Sequence, residues 1–284
     1  MQEILHILEH TLTDTIKILP FLLIAYLIME YIEHKTTKKT KEAIKKSGKF
    51  GPLIGSVLGA FPQCGFSVTA TNLYAGRVIT LGTLFAVYLS TSDEMLPILI
   101  SNGVSGTLVF KILGIKILIG IIAGFIIDLI ASKFYKNKMQ DSKIESICEH
   151  DHCHCEEGIW KSALKHTINI FIFIFIITLI LNGIMEFIGE DTLYSLTAKE
   201  PIFSILIACL IGLIPNCASS VALTELYLSN IFSLPIMIGG LLVNAGVGLL
   251  VLFRVNHNQK ENIKIVLGLY IIGVLSATIL QYLI

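Results

Sequence analysis

The chain has 284 residues, of which 54% are hydrophobic and only 15% charged, against about 25% charged in an ordinary soluble domain. That balance excludes a soluble enzyme and describes a polytopic membrane protein of all-α class. Lys plus Arg equal Asp plus Glu at 21 each, and no contiguous basic face stands out, so nucleic-acid binding has no support.

Apolar runs at 16–32, 104–130, 168–188 and 263–284 reach or approach the ~20 residues a helix needs to cross the hydrocarbon core. The first fifteen residues lack the basic start and small-residue cleavage site of a signal peptide, so the first run is expected to be a retained span. Seven lysines between Lys35 and Lys49 follow it. Next come two short apolar segments, Leu53 to Phe61 and Phe66 to Tyr74, separated by Pro62-Gln63-Cys64-Gly65. Each is too short to span alone, which predicts a re-entrant hairpin or one broken span. The segment from Val78 to Ile100 carries a second break at Ser90-Thr91-Ser92-Asp93-Glu94. In the following span Lys111 and Lys116 come early and Asp128 late; with Glu30 and Glu186 they read as snorkelling or interfacial groups.

The loop after that span holds Cys148, His150, His152, Cys153, His154 and Cys155 among carboxylates. Such a tract can capture soft or borderline metals without a fixed fold, although its spacing matches no closed zinc site. The alternative is a solvated linker.

Beyond the loop the sequence repeats itself. Pro62 to Tyr74 returns as Pro215 to Tyr227 with seven of thirteen positions identical, where chance pairing gives roughly one. The same shift of 153 pairs Gly59 with Gly212, Lys111 with Lys264 and Gly120 with Gly273, and a shift of 156 sets His10-Thr11 on His166-Thr167. Residues 1–132 and 161–284 therefore read as two membrane repeats joined by a cytoplasmic loop, 133–160.

Loop charge predicts that the repeats are inverted. Lys and Arg accumulate on the cytoplasmic side, so the lysine-rich loop after the first span lies inside and the amino terminus outside. The matching loop between Ile188 and Pro201 holds one lysine among acidic and neutral residues, and belongs outside. A second pair agrees: Ser101 to Gly106 is uncharged, while its counterpart around Arg254, Lys260 and Lys264 is basic. Each half then crosses an odd number of times.

Proline disrupts a helix and frees backbone groups that must face protein or a watery cavity. Half-helix amino termini suit anions, whereas unwound carbonyls suit cations. Around the duplicated break the expected substrate ligands are Gln63, Cys64, Ser67 and Thr71 in one copy, and Asn216, Cys217, Ser220, Thr224 and Glu225 in the other. The second break adds Ser92, Asp93 and Glu94, opposite Asn244. Charges at membrane depth usually mark ion or proton pathways. In the local alternative, the hydroxyls bond their own helix and the cysteines only pack.

At Phe61-Pro-Gln-Cys-Gly-Phe-Ser67 and Ile214-Pro-Asn-Cys-Ala-Ser-Ser220 the chain resembles a bacterial family of ten-span heavy-metal exporters, whose members are labelled arsenic efflux proteins or manganese transporters. The resemblance covers nearly the whole chain, including the His/Cys-rich loop. It implies a permease of the cytoplasmic (inner) membrane that expels a metal or metalloid, with lipid and the ion as partners, no cofactor, and Cys64 and Cys217 as paired motif positions. Thiols suit arsenite or a soft metal, whereas Asp93, Glu94, Glu225, Gln63 and Asn216 suit manganese. No G-x-x-x-x-G-K-[ST] motif appears, so transport would be secondary unless another subunit supplies ATP hydrolysis. The competing readings are import of a small sulfur-containing anion, a channel, and an intramembrane cysteine enzyme. The last is disfavoured, because no base accompanies either cysteine motif.

Overall fold

The computed structural model describes residues 48–61, 64–92, 95–134 and 201–283, with shorter helical pieces within 11–27 and 160–179. All regular structure among them is helical. A short turn, Gly48–Phe50, leads into α1 (Gly51–Gly59), α2 (Cys64–Ala75), α3 (Leu81–Ser90), α4 (Met95–Ser101) and α5 (Gly106–Phe134). From residue 201 the series runs α6 (Pro201–Gly212), α7 (Cys217–Leu228), α8 (Leu234–Val243), α9 (Gly248–Val255) and α10 (Gln259–Leu283).

The second five helices follow the first five in order, at the spacing that the sequence repeat predicts. Cys64 and Cys217 each open a helix after a proline-containing break. Both helices then end in the same left-handed turn. Arg77 has φ 59° and Asn230 φ 60°. The hydrogen bonds also correspond: Gly76 N donates to Asn72 O at 2.9 Å and Val78 N to Leu73 O at 2.8 Å, while Ser229 N donates to Glu225 O at 2.9 Å and Ile231 N to Leu226 O at 3.0 Å. Such a turn satisfies carbonyls that the last helical turn leaves open. Thr11 and Thr167, matched by the 156-residue shift, are both buried.

Packing repeats as well. In the first half α3 lies against both α1 and α5, and in the second α8 lies against both α6 and α10. Small residues permit the close approach, as in membrane helix pairs generally. A Cβ at Gly82 would stand 2.1 Å from the Gly124 carbonyl oxygen, and one at Gly212 would stand 2.1 Å from that of Gly240. The two halves then exchange elements: α2 packs on α9, and α7 packs on α4. Each motif helix thus rests on the helix that follows the other half's break.

Burial divides the helices into inner and outer ones. Every residue from Gly82 to Ser90 and from Pro235 to Val243 is buried. Among the described residues three segments are long and apolar enough to cross a membrane: Gly106–Ser132, Leu234–Val255 and Gln259–Leu283. The middle one is 89% buried and the others 28% and 22%, which puts α8–α9 at the centre and α5 and α10 outside. The outer face of α10 shows Ile263, Leu267, Ile271, Leu275 and Ile279, one every fourth residue, and α5 shows Leu118, Ile122, Phe125, Ile126 and Leu129. Apolar faces of this size require a lipid environment rather than water, so the protein is a multi-pass membrane protein.

Two charged residues of α5 differ from the interfacial role expected from sequence. Lys116 is fully buried, and its surroundings are described below. Asp128 is half-buried and brackets the start of α3, accepting from Thr80 Oγ1 at 2.7 Å and Gly82 N at 2.8 Å. Its carboxylate meets the unpaired donors of a helix amino terminus. In the second half Gln281 takes the same place and accepts from Ser233 Oγ at 3.0 Å. There the residue matching Gly82 is Pro235, which has no N–H to satisfy.

Gly212→Ala is expected to destabilise the detergent-solubilised protein by about 1–3 kcal/mol, because a backbone carbonyl blocks the added methyl. Gly114→Ala, where the methyl would meet open space, should leave the melting temperature unchanged or raised. Equal melting temperatures for the two variants would refute the close-packed assignment of Gly212.

Candidate functional site

The inner helices carry a polar layer in an otherwise apolar core. Ser67, Thr71 and Asn72 of α2, Ser90, Thr91 and Ser92 at the end of α3, Asn216, Ser219, Ser220 and Thr224 in and before α7, and Asn244 after α8 are all buried. Burying so many polar groups is tolerable only where each finds a partner, and the partners show which elements meet.

On one side the first motif helix meets the second half's break. Thr71 Oγ1 lies 2.6 Å from Ser67 O and 2.5 Å from Tyr88 OH, and both hydroxyls lie 3.2 Å from the Gly248 carbonyl oxygen. Gly248 opens α9, directly after residues 244–247, and a Cβ there would come within 2.9 Å of Ser67 Cβ. Contact between α2 and α9 therefore depends on glycine at this position. Within the break, Asn244 Oδ1 accepts from Gly246 N at 2.8 Å, and Gly246 has φ 53°. The Asn side chain replaces a backbone acceptor at the point where the helix unwinds.

The other side is built around Lys116. Its ammonium donates to the Thr91 carbonyl oxygen at the end of α3 and to the Leu241 carbonyl oxygen in α8 at 3.0 Å. One side chain from the first half thus joins the first break to the central helix of the second half. Ser92 Oγ donates to Ala60 O at 2.6 Å, tying the same break to the end of α1.

A third link between the halves lies at the end of α2. Arg77 makes a two-pronged ion pair with Glu261 at the start of α10, at 2.9 and 3.0 Å. Tyr74 OH also donates to that carboxylate, and the Arg77 guanidinium lies over the Tyr74 ring at 5.1 Å. Planar two-pronged contacts of this kind are the strong form of the ion pair.

Of the candidate ligands expected from sequence, Ser67, Thr71, Ser92, Asn216, Ser220, Thr224 and Asn244 are buried in the polar layer. Thr71 and Thr224 also bond the carbonyl one turn back on their own helices, the latter Ser220 O at 2.7 Å, as the local alternative expects. Glu225 is exposed on α7, whereas its counterpart Asn72 is buried and donates to Val68 O at 3.0 Å. Cys64 and Cys217 are the first residues of α2 and α7; their side chains lie outside the described residues. Gln63, Asp93, Glu94 and the loop positions Cys148, His150, His152, Cys153, His154 and Cys155 also lie outside them. Among the described residues no three His, Cys, Asp or Glu side chains gather as a metal site.

Sequence reasoning placed Lys116 at the membrane interface and passed over Tyr88. Both had a detectable signal, since the 153-residue shift sets Lys116 on Leu269 and Tyr88 on Leu241. A polar side chain where the other copy has leucine, inside an apolar helix, marks a core position that has acquired a polar task.

Tyr88→Phe keeps the ring and removes the hydroxyl shared with Thr71 and Gly248. It should destabilise the protein by about 1–3 kcal/mol through the groups left unpaired, measured as a shift in reversible unfolding in detergent. An unchanged midpoint would show that the hydroxyl adds nothing to the join between α2 and α9.

Searches of curated proteins and of solved structures each returned no match. A family model described as "Putative, 10TM heavy-metal exporter" matches residues 3–200, ending before the second copy of the motif. By that match, and with the apolar outer helices and polar centre already described, the chain belongs to this 10TM heavy-metal exporter family.

Proposed function

We propose that the protein is a secondary transporter that exports a metal or metalloid ion, manganese or arsenite-like, across the bacterial cytoplasmic membrane by alternating access. Membership of a heavy-metal exporter family supports metal efflux in general. The observation that carries the mechanism is the exchange of elements, with α2 on α9 and α7 on α4. Each broken helix is completed by the opposite half, so a movement of one half against the other remakes both breaks together.

In this reading residues 1–132 and 161–284 are inverted repeats, with the amino terminus outside and the 133–160 loop inside. The breaks before α2 and α7 are tips of re-entrant hairpins. Gln63, Cys64, Asn216 and Cys217 sit at those tips, and Ser67, Thr71, Ser220 and Thr224 line the first turns behind them. Ser92, Asp93 and Glu94 supply oxygen ligands opposite Asn244, with Glu225 serving the approach to the site. Cys148, His150, His152, Cys153, His154 and Cys155 capture metal on the cytoplasmic side. Thiolates favour a soft ion and carboxylates a hard one, so the two substrate classes make different demands on the same site.

Cells carrying the protein should hold less of the exported element than cells lacking it, measured as total Mn, Zn, Cu and As under challenge. Asp93→Asn should abolish the difference for manganese, and Cys64→Ser should abolish it for arsenic. Unchanged content under every challenge would sink the export reading, and a rise in cellular sulfur would favour import of a sulfur-containing anion. Orientation has a separate check: a cysteine introduced between residues 189 and 200 should react with an impermeant reagent from outside. Reaction only from the cytoplasm would reject the inversion.

A further inference from the structure

Lys116 places its amine at the buried centre of the molecule. It lies ten residues into α5, or ~15 Å along the helix, which is half the depth of a ~30 Å hydrocarbon core. It is fully buried, and among the described residues no other charged side chain is buried. Two of the groups that receive it are carbonyls of common origin. Thr91 caps the carboxy-terminal end of α3, and Leu241 lies in the last turn of α8, which ends at Val243. A helix leaves its final four carbonyls without intrahelical partners and carries the negative end of its dipole there. Two such ends, one from each half, converge on one cation, and that cation is a side chain.

We propose that the Thr91 and Leu241 carbonyls form a cation-binding position that Lys116 fills when no substrate is bound, so that the lysine and the transported cation occupy it in turn. The identity of that cation rests on the export reading; the existence of the position does not. An exporter must return across the membrane without its exported cation, and an empty set of carbonyl ligands inside hydrocarbon leaves helix ends unsatisfied at several kcal/mol per group. The ammonium removes that penalty. It also opposes binding, because an arriving cation has to displace it, and this assists release on the far side.

The other half offers a way to vacate the position without disturbing the packing. Leu269, the counterpart of Lys116, is fully buried in α10, so a leucine suits this kind of site and stops short of the ammonium position. The test uses the full-length protein in lipid nanodiscs with Mn²⁺ and methylammonium as probes. Lys116→Leu should bind Mn²⁺ roughly ten-fold or more tighter than wild type, and methylammonium should raise the melting temperature of this variant and not that of wild type. Lys116→Arg, which keeps the charge, should bind Mn²⁺ no tighter than wild type. If Lys116→Leu does not assemble, Lys116→Met, which keeps the length of the stem, takes its place.

Equal Mn²⁺ affinity together with no methylammonium effect would overturn the proposal, whatever the metal content of cells shows. Stabilisation by methylammonium with no Mn²⁺ binding would support the position and overturn manganese as its occupant. The cellular measurement decides the export reading separately.

Discussion

A helix interrupted inside an apolar medium exposes backbone groups that water cannot reach, and the rest of this structure depends on how those groups are satisfied. Residues 91–92 follow α3 and residues 244–247 follow α8, the two helices that are buried almost along their whole length. Lys116 meets the carbonyls of one break and of the facing helix, the Asn244 side chain turns back on Gly246, and Ser92 reaches Ala60. The Asn244 and Ser92 bonds lie within single halves, whereas the bond from Lys116 to Leu241 needs both halves. The halves are joined at their centre because side chains of the first half bond backbone carbonyls of the second, at Gly248 and Leu241.

This arrangement explains why polar residues sit where the chain is most deeply buried, while the outward faces of α5 and α10 are apolar. The faces of α5 and α10 repeat Leu, Ile and Phe toward lipid, where packing asks little of sequence beyond hydrophobicity. Inward, a small residue decides each contact: Gly82 against Gly124, Gly212 against Gly240, Gly248 against Ser67. A centre held by close backbone approach and shared hydrogen bonds resists continuous deformation and favours discrete packings.

Much of this was legible in the sequence. The 153-residue repeat located α2, expected from Phe66 to Tyr74 and observed at Cys64–Ala75, and α7 at the matching Cys217–Leu228. A polar interruption located the end of α3 at Ser90, and the repeat placed its counterpart at the end of α8. The partners were not legible. Nothing in the order of residues says that Thr71 and Tyr88 share the carbonyl of Gly248, 160 residues or more away, or that α2 rests on α9. Lys116 shows the reason most plainly. Its position near the start of a long apolar span suggested an interfacial side chain, and only the packing of α5 against α3 and α8 carries it inward. Asp128 failed the same test, since a carboxylate near a span end looks solvated until the start of α3 is brought against it.

The bracket at Asp128 also bears on how the copies diverged. In the first half a carboxylate answers a hydroxyl and a backbone N–H; in the second, proline has removed the N–H, and a neutral amide answers the hydroxyl alone. Proline at residue 82 would remove one of the two donors to the half-buried Asp128 carboxylate, and aspartate at residue 281 would place a carboxylate where a single hydroxyl is the only donor observed. Residues 82 and 128, and likewise 235 and 281, are therefore constrained to change as pairs. Since duplication, each copy has accumulated such linked commitments, and a helix transplanted from one half into the other would arrive with the wrong set of debts.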